Sequence, residues 1–208
     1  MIEVVRTPFS DWMIFIKKVE DVIFSLIALT IFAPLMVIIA AAIWIESPGP
    51  VIFRQKRYGY NNKIFEIYKF RSMTHTPVPE GKTEQATKND ARVTRVGKFI
   101  RKTSLDELPQ IFNVLDGSMS LVGPRPHAVD HNEDYAKVID GYFARHRVKP
   151  GITGWAQING FRGITDTVDK MESRVKYDVY YAENWSLFFD LKILIRTAFV
   201  GFINKNAH

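Results

Sequence analysis

The chain has no cysteine among its 208 residues. This absence excludes a disulfide scaffold and any zinc site with thiolate ligands, and it fits a reducing compartment. The sequence also lacks internal repeats and any recognisable nucleic-acid-binding motif, so we expect no nucleic-acid partner. A hydrophobic fraction of 47% over one-domain length is enough for a folded core.

Acidic residues are fewer than basic ones. There are 22 Asp and Glu against 28 Lys and Arg, which gives a net charge of +6. Such an excess favours anionic partners, among them phospholipid headgroups and phosphorylated substrates. Charge alone does not choose between these partners.

Charge is also absent from the 24 residues 22–45, VIFSLIALTIFAPLMVIIAAAIWI. This run is long enough to cross a bilayer core of about 30 Å. It is no ordinary signal peptide, because Pro34 lies at its centre and no small-residue cleavage site follows. Basic residues flank both ends of the run, namely Lys17, Lys18, Arg54, Lys56 and Arg57.

Positive charge at both flanks indicates that both ends stay on the cytoplasmic side of the membrane. Pro34 permits this, since proline removes a backbone hydrogen bond and bends a helix. Each half of the run would be about 17 Å long, roughly half a bilayer. We therefore predict a re-entrant helical hairpin broken at Pro34, with a kinked single span and a buried core helix as alternatives.

The remaining sequence predicts a small domain with helices and strands. A turn at residues 46–50 precedes two β-rich segments, VIF and KIFEIYKF, which are separated by Gly59–Tyr60–Asn61–Asn62. A polar stretch at 75–90 is predicted to be a mobile loop, and helices are predicted over 91–102 and 107–115.

The C-terminal segment, residues 184–203, is interrupted by Asp190, Lys192 and Arg196 and cannot span a bilayer. It predicts an interfacial amphipathic helix, with an ordinary core helix as the alternative. The fold class is therefore α/β: a small mixed α+β cytosolic domain with an N-terminal membrane hairpin and interfacial helices. The predicted segments are a linker or remnant of a longer N-terminus at 1–16, the hairpin at 17–50 and the cytosolic domain, with its C-terminal interfacial helix, at 51–208.

Two adjacent carboxylates, Asp106 and Glu107, lie in TSLDELPQ after a basic helix that ends with Arg101 and Lys102. Asp106 fits the N-cap of the following helix, and Ser104 with Glu107 fits a capping box. Capping does not exclude chemistry. A carboxylate at a helix N-terminus stays ionised and can act as a nucleophile or a magnesium ligand.

Other segments supply candidate phosphate ligands. Lys69 and Arg71 alternate along an extended segment and so share one side, while Arg125 lies between Pro124 and Pro126 in GPRPH. The fixed backbone there would aim one guanidinium at a bidentate acceptor. For each of these residues an ordinary structural role, as a surface pair or a salt bridge, is the alternative.

A glycine-rich segment, PGITGWAQING, begins at Pro150 and contains Gly151, Gly154 and Trp155. Its free backbone amides could approach a nucleotide. The alternative is a set of turns without a ligand.

Taken in order, these features resemble the bacterial sugar transferases, monotopic enzymes that move hexose 1-phosphate onto a polyprenyl phosphate. The resemblance extends from about Lys17 to Ile203. It is carried by the broken hydrophobic run and by the blocks SPGPVIFRQKRYG, YKFRSM, TSLDELPQIFNVLDGSMSLVGPRP, VKPGITGWAQING and YDVYYAENWSLFFDLKIL.

The resemblance implies transfer of hexose 1-phosphate from a UDP-sugar to undecaprenyl phosphate with release of UMP, the first membrane step of exopolysaccharide or capsule assembly. It implies that Asp106 is the nucleophile that forms a phosphosugar-aspartyl intermediate and that it contacts Mg²⁺. Glu107 would act as the base or orienting partner. Lys69, Arg101 and Arg125 would bind the pyrophosphate.

The C-terminal catalytic domain of the longer family members that transfer glucose 1-phosphate is the best match. The implied location is the cytoplasmic face of the bacterial inner membrane, in contact with membrane lipids, and the resemblance allows a homodimer. One departure is Ala33, where many members have serine before the proline. Two other functions remain open at this point, a non-enzymatic module that binds anionic lipids and a glycosyltransferase that releases UDP.

Overall fold

The computed structural model describes residues 9–74, 90–127, 139, 141–161 and 167–203. In this part of the chain six α-helices and four strands form a mixed α/β arrangement, as the sequence predicted. The loop predicted at 75–90 lies outside the described residues except for its last position.

Helix α1 runs from Asp11 to Glu46 and begins at Ser10, whose side chain accepts a hydrogen bond from the amide of Met13. The helix continues through Pro34, so the chain does not divide there into two separate half-helices. Proline removes one hydrogen bond, but the helix bonds on both sides keep the chain helical. One turn earlier, Thr30 Oγ1 donates to the carbonyl of Leu26 at 2.9 Å. This is a hydroxyl-to-backbone bond of the kind that Ala33 cannot make.

Among the described residues, α1 is the one helix long and apolar enough to cross a membrane. A single stripe of its side chains is buried, and it includes Met36, Ile39 and Ile43, which pack against Phe70 and Ile100. The rest of the helix surface carries exposed apolar side chains, among them Ile23, Leu26, Ile27, Ile31, Phe32, Val37, Ile38, Trp44 and Ile45. Such a surface is typical of a lipid-facing helix.

A buried polar network joins the start of α1 to the C-terminal helices. We call Lys17, Asp21, Tyr181, Trp185 and Asp190 the docking cluster. Lys17 Nζ lies 2.6 Å from Asp190 Oδ2 and 3.1 Å from Asp21 Oδ1. Asp190 also accepts hydrogen bonds from the Tyr181 hydroxyl and the Trp185 indole, each at 2.9 Å. The charges in this cluster therefore have close partners, as buried charges require.

Both ends of α1 are bonded to the same folded unit. Near the start, Asp21 Oδ1 accepts a hydrogen bond from the amide of Leu121 at 3.0 Å. At the end, the Glu46 carboxylate accepts from the amides of Arg95 and Val96 at 2.8 and 2.9 Å. Glu46 thus caps the next helix, whose first amides have no helical acceptor.

The predicted hairpin is present. Strand β1, Ile52–Tyr58, pairs antiparallel with β2, Ile64–Phe70, and the turn between them contains the 3₁₀ segment Tyr60–Asn62. Lys69 lies opposite Phe53 in this register.

Helix α2 runs from Arg95 to Lys102, four residues later than the predicted start. The side chain of Thr94 accepts from the amide of Gly97 at 2.9 Å and sets the N-terminus. A Cβ at Gly97 would lie 1.9 Å from the carbonyl oxygen of Ser72. Glycine at this position therefore lets α2 lie directly on the segment that follows β2.

Helix α3 runs from Gln110 to Leu115 and ends at Asp116 and Gly117, as predicted, with φ of +84° at the glycine. Strand β3, Ser120–Val122, pairs in parallel with β4, Gly151–Thr153.

Three helices complete the described chain: α4, Trp155–Ile158, α5, Val168–Glu183, and α6, Leu187–Ile203. The largest core cluster joins β2, α3, β3, α5 and α6 through Ile67, Val114, Met119, Leu121, Val122, Val148, Tyr181, Ala182, Trp185 and Ile193. Helix α6 buries Asp190 and Ile193 in the protein and exposes Phe188 and Phe199. It is thus partly a core helix, which was the alternative reading of this segment.

Candidate active site

Asp106 and Glu107 lie in a 3₁₀ turn, Leu105–Glu107, and not at the start of α3. Pro109 occupies the N-cap position of α3 and makes no side-chain cap, so the prediction that Asp106 caps this helix was wrong. Ser104 has φ of +58° and makes no side-chain cap, so the alternative capping box was also wrong. The sequence pattern did not show that Glu107 turns inward toward basic side chains.

Glu107 is buried between two cations. Its Oε1 lies 2.8 Å from Lys69 Nζ and 2.7 Å from Arg125 Nη2, and its Oε2 accepts from Arg125 Nη1 at 3.3 Å. The Arg125 guanidinium thus meets the carboxylate with both terminal nitrogens, a strong charge-assisted arrangement. Burial opposes ionisation of Glu107, but Arg125 and Lys69 outweigh it and hold the pKa of Glu107 well below its usual range.

Asp106 has the opposite environment. It is half-buried, and its carboxylate forms no ion pair or side-chain hydrogen bond with any described residue. Burial and the adjacent Glu107 raise the pKa of Asp106 to about 6, against the opposing effect of Lys69, Arg125 and Arg101. Asp106 is therefore mostly ionised at neutral pH, and both of its oxygens are open to a substrate or a metal ion.

Separate elements carry the residues around this pair. Lys69 is near the end of β2, which is tied to α3 by the side chain of Asn113. Asn113 Oδ1 accepts from the amide of Tyr68 at 2.9 Å, and Nδ2 donates to the carbonyl of Glu66 at 2.7 Å. Arg101 comes from the last turn of α2. Lys69 and Arg125 contact Glu107, and Arg101 is near enough to act electrostatically on Asp106.

Arg125 is positioned by close backbone packing between two segments. The amide of Gly151 donates to the carbonyl of Pro124 at 2.9 Å. A Cβ at Gly151 would lie 2.1 Å from the amide nitrogen of Gly123, and a Cβ at Gly154 would lie 2.2 Å from the carbonyl oxygen of Gly123. In this structure Gly151 and Gly154 are needed for the approach of the GPRP segment, a role that the sequence analysis did not anticipate.

A second layer of polar side chains lies beneath Arg125, and its pairing was not predicted from the sequence. Arg145, fully buried, donates from Nη2 to the carbonyl of Arg125 at 2.6 Å and pairs with Asp178 at 2.8 Å. His127 bonds to the Tyr142 hydroxyl at 2.9 Å. Burial, Arg145 and Arg174 hold the pKa of His127 well below its usual range, so its ring is neutral. The signal in the sequence was the basic run that begins at Arg145, but its spacing does not reveal the partner Asp178.

Arg71 does not join the cluster. Strand β2 ends at Phe70, and the buried Arg71 guanidinium instead donates to the carbonyls of Ser47 and Pro48. It thereby fixes the turn that follows α1. The predicted alternation of Lys69 and Arg71 along one strand face fails because the strand ends between them.

Trp155 also lies away from the carboxylates. Its ring packs against Tyr177, Tyr180 and Phe189, with centroid distances of 6.3, 6.5 and 5.0 Å. The cationic groups of Lys192 and Arg196 lie 5.5 and 6.0 Å from the Trp155 ring centroid. Pro124 and Pro126 are buried on either side of Arg125, as their fixed backbone suggested.

No group of three or more metal-ligating side chains occurs in the residues that the structure describes. Mg²⁺ bound together with a phosphorylated substrate commonly needs only one or two protein carboxylates. Asp106 fits that requirement, because its carboxylate is open while the two oxygens of Glu107 are occupied by cations.

Sequence comparison identifies related proteins. A sequence profile described as bacterial sugar transferase matches residues 12–204. The UDP-glucose:undecaprenyl-phosphate glucose-1-phosphate transferase of Klebsiella pneumoniae is 56% identical over 202 residues, which are 97% of this chain and 43% of that protein. The protein of the same name in Escherichia coli (strain K12) is 55% identical over 202 residues, again 97% and 43% of the two chains.

The exopolysaccharide production protein PSS of Rhizobium leguminosarum bv. phaseoli is 43% identical over 185 residues, 88% of this chain and 92% of that protein. The chain thus spans about two fifths of the length of the first two relatives and nearly all of the third. The profile covers almost the whole chain, and it includes every residue of the carboxylate site. The resemblance inferred from the sequence is therefore confirmed: this chain belongs to the bacterial sugar transferase family.

Proposed function

We propose that this chain transfers hexose 1-phosphate, glucose 1-phosphate in the first instance, from a UDP-sugar to undecaprenyl phosphate and releases UMP. The names of two relatives that are more than half identical to it support this reaction. The name of the Rhizobium relative supports a place in exopolysaccharide production.

The observation that carries the proposal is the unequal state of two adjacent carboxylates. The charge of the Glu107 carboxylate is balanced by Lys69 and Arg125, whereas the Asp106 carboxylate is ionised and has no such partner. In the first half-reaction an Asp106 oxygen attacks the phosphorus on the sugar side of the pyrophosphate. The bond to the bridging oxygen breaks, its electron pair stays on that oxygen, and UMP leaves.

In the second half-reaction a phosphate oxygen of the polyprenyl phosphate attacks the same phosphorus. The bond to Asp106 breaks, the carboxylate is regenerated and the lipid-linked diphosphosugar is formed. Two steps through a carboxylate replace one direct reaction between two anions. Glu107 acts in this scheme by holding Lys69 and Arg125 in place beside the reacting phosphorus.

Charge neutralisation dominates phosphoryl transfer, and three cations serve it here. Lys69, Arg101 and Arg125 each act electrostatically on Asp106. The Arg125 guanidinium has N–H groups beyond the two that Glu107 engages. It can therefore also bind a pyrophosphate oxygen of the UDP-sugar. Mg²⁺ bound by Asp106 would neutralise further charge on the pyrophosphate.

We further propose that α1 enters and leaves the membrane on one face. A helix that crosses the bilayer would place its two ends on opposite sides. Instead, Asp21 near one end and Glu46 at the other are both bonded to the catalytic unit. The exposed apolar faces between them would lie in the lipid of the cytoplasmic leaflet, and Thr30 and Pro34 provide the local departure from ideal helix hydrogen bonding.

The nucleotide product tests the reaction. The full chain in detergent is mixed with UDP-glucose, a short polyprenyl phosphate and Mg²⁺, and the released nucleotide is identified by chromatography. We expect UMP. Release of UDP would indicate a glycosyltransferase, and no release with any UDP-hexose would indicate a non-enzymatic lipid-binding module.

In this assay Asp106→Asn, which lacks the attacking carboxylate, should release no UMP. Asp116→Asn is its matched control. Asp116 is exposed at the end of α3 and accepts from the amide of Ser118 at 2.8 Å, a bond that asparagine can also make. It should release UMP at the wild-type rate.

A further inference from the structure

A cavity lined by basic and apolar side chains lies at the start of α1. It has a volume of about 150 Å³, and its lining combines the first turns of α1 with residues 147–149. The lining residues are Phe9, Ile14, Lys17, Lys18, Asp21, Tyr60, Ser120, Val122, Arg147, Val148, Lys149 and Tyr181. None of these belongs to the group around Asp106, so the cavity is separate from the proposed reaction site.

The cavity has an excess of positive charge. Its Lys17 is already paired with Asp190 and Asp21. Lys18, Arg147 and Lys149 form no ion pair with any residue that the structure describes.

Two of these cations are partly withdrawn from water. Arg147 and Lys149 are both half-buried, and Arg147 Nε is buried without a hydrogen-bond partner among the described groups. Burial lowers the pKa of Lys149, Asp21 raises it, and Lys18 and Lys17 lower it further. A bound anion would relieve this repulsion and supply acceptors.

The surroundings indicate where the anion comes from. Trp12 and Phe15, on the first turns of α1, are 67% and 56% exposed and stack at a centroid distance of 5.5 Å. Exposed aromatic side chains beside lysines, just before a long apolar run, are typical of the headgroup level of a membrane. Ile14 and Phe9 give the cavity an apolar wall, which a free inorganic ion would not use but the acyl chains of a lipid would.

We propose that this cavity binds the phosphate of an anionic bilayer phospholipid that is not the acceptor in the reaction. Arg147 and Lys149 bind the phosphate oxygens, Lys18 adds charge at the exposed side, and the apolar wall contacts the first carbons of the acyl chains. The bound lipid fixes the start of α1 at the membrane surface. The proposal rests on the membrane placement of α1 argued above, but it does not depend on the reaction at Asp106.

The test measures lipid occupancy without any UDP-sugar. The full chain in neutral detergent is titrated with short-chain phosphatidylglycerol or phosphatidylcholine, and the bound lipid is counted by native mass spectrometry. Phosphatidylglycerol should bind and phosphatidylcholine should bind far more weakly. Arg147→Gln combined with Lys149→Gln should weaken phosphatidylglycerol binding about tenfold or more.

Lys63→Gln is the control for loss of one positive charge, because Lys63 is exposed in the turn between β1 and β2 and is not part of the cavity. Its phosphatidylglycerol binding should equal that of the wild type. The single variants at 147 and 149, each checked for folding by circular dichroism, replace the double variant if that protein does not fold.

Three outcomes would overturn the proposal. One is equal phosphatidylglycerol binding by the folded variants and the wild type. Another is displacement of the lipid by an equal concentration of inorganic phosphate, which would make this a free-phosphate site. The third is a loss of affinity for polyprenyl phosphate alone, which would make it part of the acceptor site. Each is distinguishable from failure of the proposed function, which is read separately from UMP release.

Discussion

Asp190 and Asp106 differ in the partners of their carboxylates. In the docking cluster, Asp190 accepts from Tyr181 and Trp185 and lies 2.6 Å from Lys17. In the reaction site Glu107 is equally well paired, but Asp106 beside it has no such partner among the described residues. Paired acids hold the fold together, whereas the unpaired acid costs stability and remains reactive.

The largest expected effect is on the unpaired acid. Asp106→Asn removes the nucleophile and should lower UMP release by at least about 10⁴-fold, about 5.5 kcal/mol of activation free energy. The measurement is single-turnover UMP release from UDP-glucose. Near-normal release would show that another group attacks the phosphorus.

The same variant should be more stable than the wild type at pH 7. The pKa of Asp106, about 6, is raised above the value of about 3.9 for an unfolded aspartate. Its ionised form therefore destabilises the fold progressively as the pH rises from about 4 to 6, and asparagine removes that penalty. Thermal unfolding should show a gain of about 1–3 kcal/mol at pH 7 that disappears at pH 4.

Breaking the docking cluster should lower the stability of the protein, whereas Asp106→Asn should raise it. Asp190→Ala leaves Lys17, Tyr181 and Trp185 without their shared acceptor and should destabilise the protein by about 3–5 kcal/mol. Asp190→Asn retains an acceptor but loses the charge, so its loss should be smaller. Denaturant unfolding in detergent measures both, and equal stability of Asp190→Ala and the wild type would contradict the comparison.

Arg125→Lys tests the cation that both pairs with Glu107 and is proposed to neutralise charge on the reacting pyrophosphate. Lysine keeps the charge but loses the planar pair of donors that meets Glu107 at 2.7 and 3.3 Å. UMP release should fall about 10²-fold while the protein still folds and associates with membranes. Unchanged turnover would limit Arg125 to a structural role.

The pH dependence of UMP release sharpens the contrast between the carboxylates. Asp106 must lose its proton to attack, and its pKa of about 6 lies just below neutrality. At subsaturating Mg²⁺ and UDP-glucose, where the rate reports the free enzyme, UMP release should therefore fall roughly tenfold between pH 7 and pH 5, whereas Glu107, with its lowered pKa, stays ionised. A rate that stays level down to pH 5 would show that the unpaired acid does not set the profile.

The smallest effect concerns the contact between α1 and α2. Glu46→Ala removes two hydrogen bonds to the amides of Arg95 and Val96, at the start of the helix that carries Arg101. Because Glu46 is exposed, we expect a loss of only about 0.5–1 kcal/mol in unfolding free energy and a modest fall in rate. Glu183→Ala, an exposed glutamate at the end of α5, is the control and should change neither quantity.

The sequence predicted the residues of the site better than their pairing. The hairpin that carries Lys69 and the end of α3 were predicted because turn residues are local signals, whereas the group formed by Lys69, Arg101 and Arg125 was implied by the family resemblance. The cap assigned to Asp106 was wrong, since the direction of Glu107 is decided by cations distant in sequence.

Ion pairs between residues distant in sequence were not predicted. Lys17 and Asp190 are separated by most of the chain, and the local sequence around each gives no indication of the other. The break expected at Pro34 did not occur, because the helix bonds on both sides outweigh the one that proline removes. Asp178, the partner of Arg145 beneath the reaction site, gave no local signal either.

The central claim is that Asp106 reacts and Glu107 does not. The direct test incubates the wild-type chain with Mg²⁺ and UDP-glucose in the absence of a lipid acceptor, quenches in acid and maps the peptides by mass spectrometry. We predict that the peptide containing both residues gains the mass of one hexose phosphate, that fragmentation assigns it to Asp106, and that Asp106→Asn shows no gain. UMP release without any adduct, or an adduct assigned to Glu107, would contradict the account.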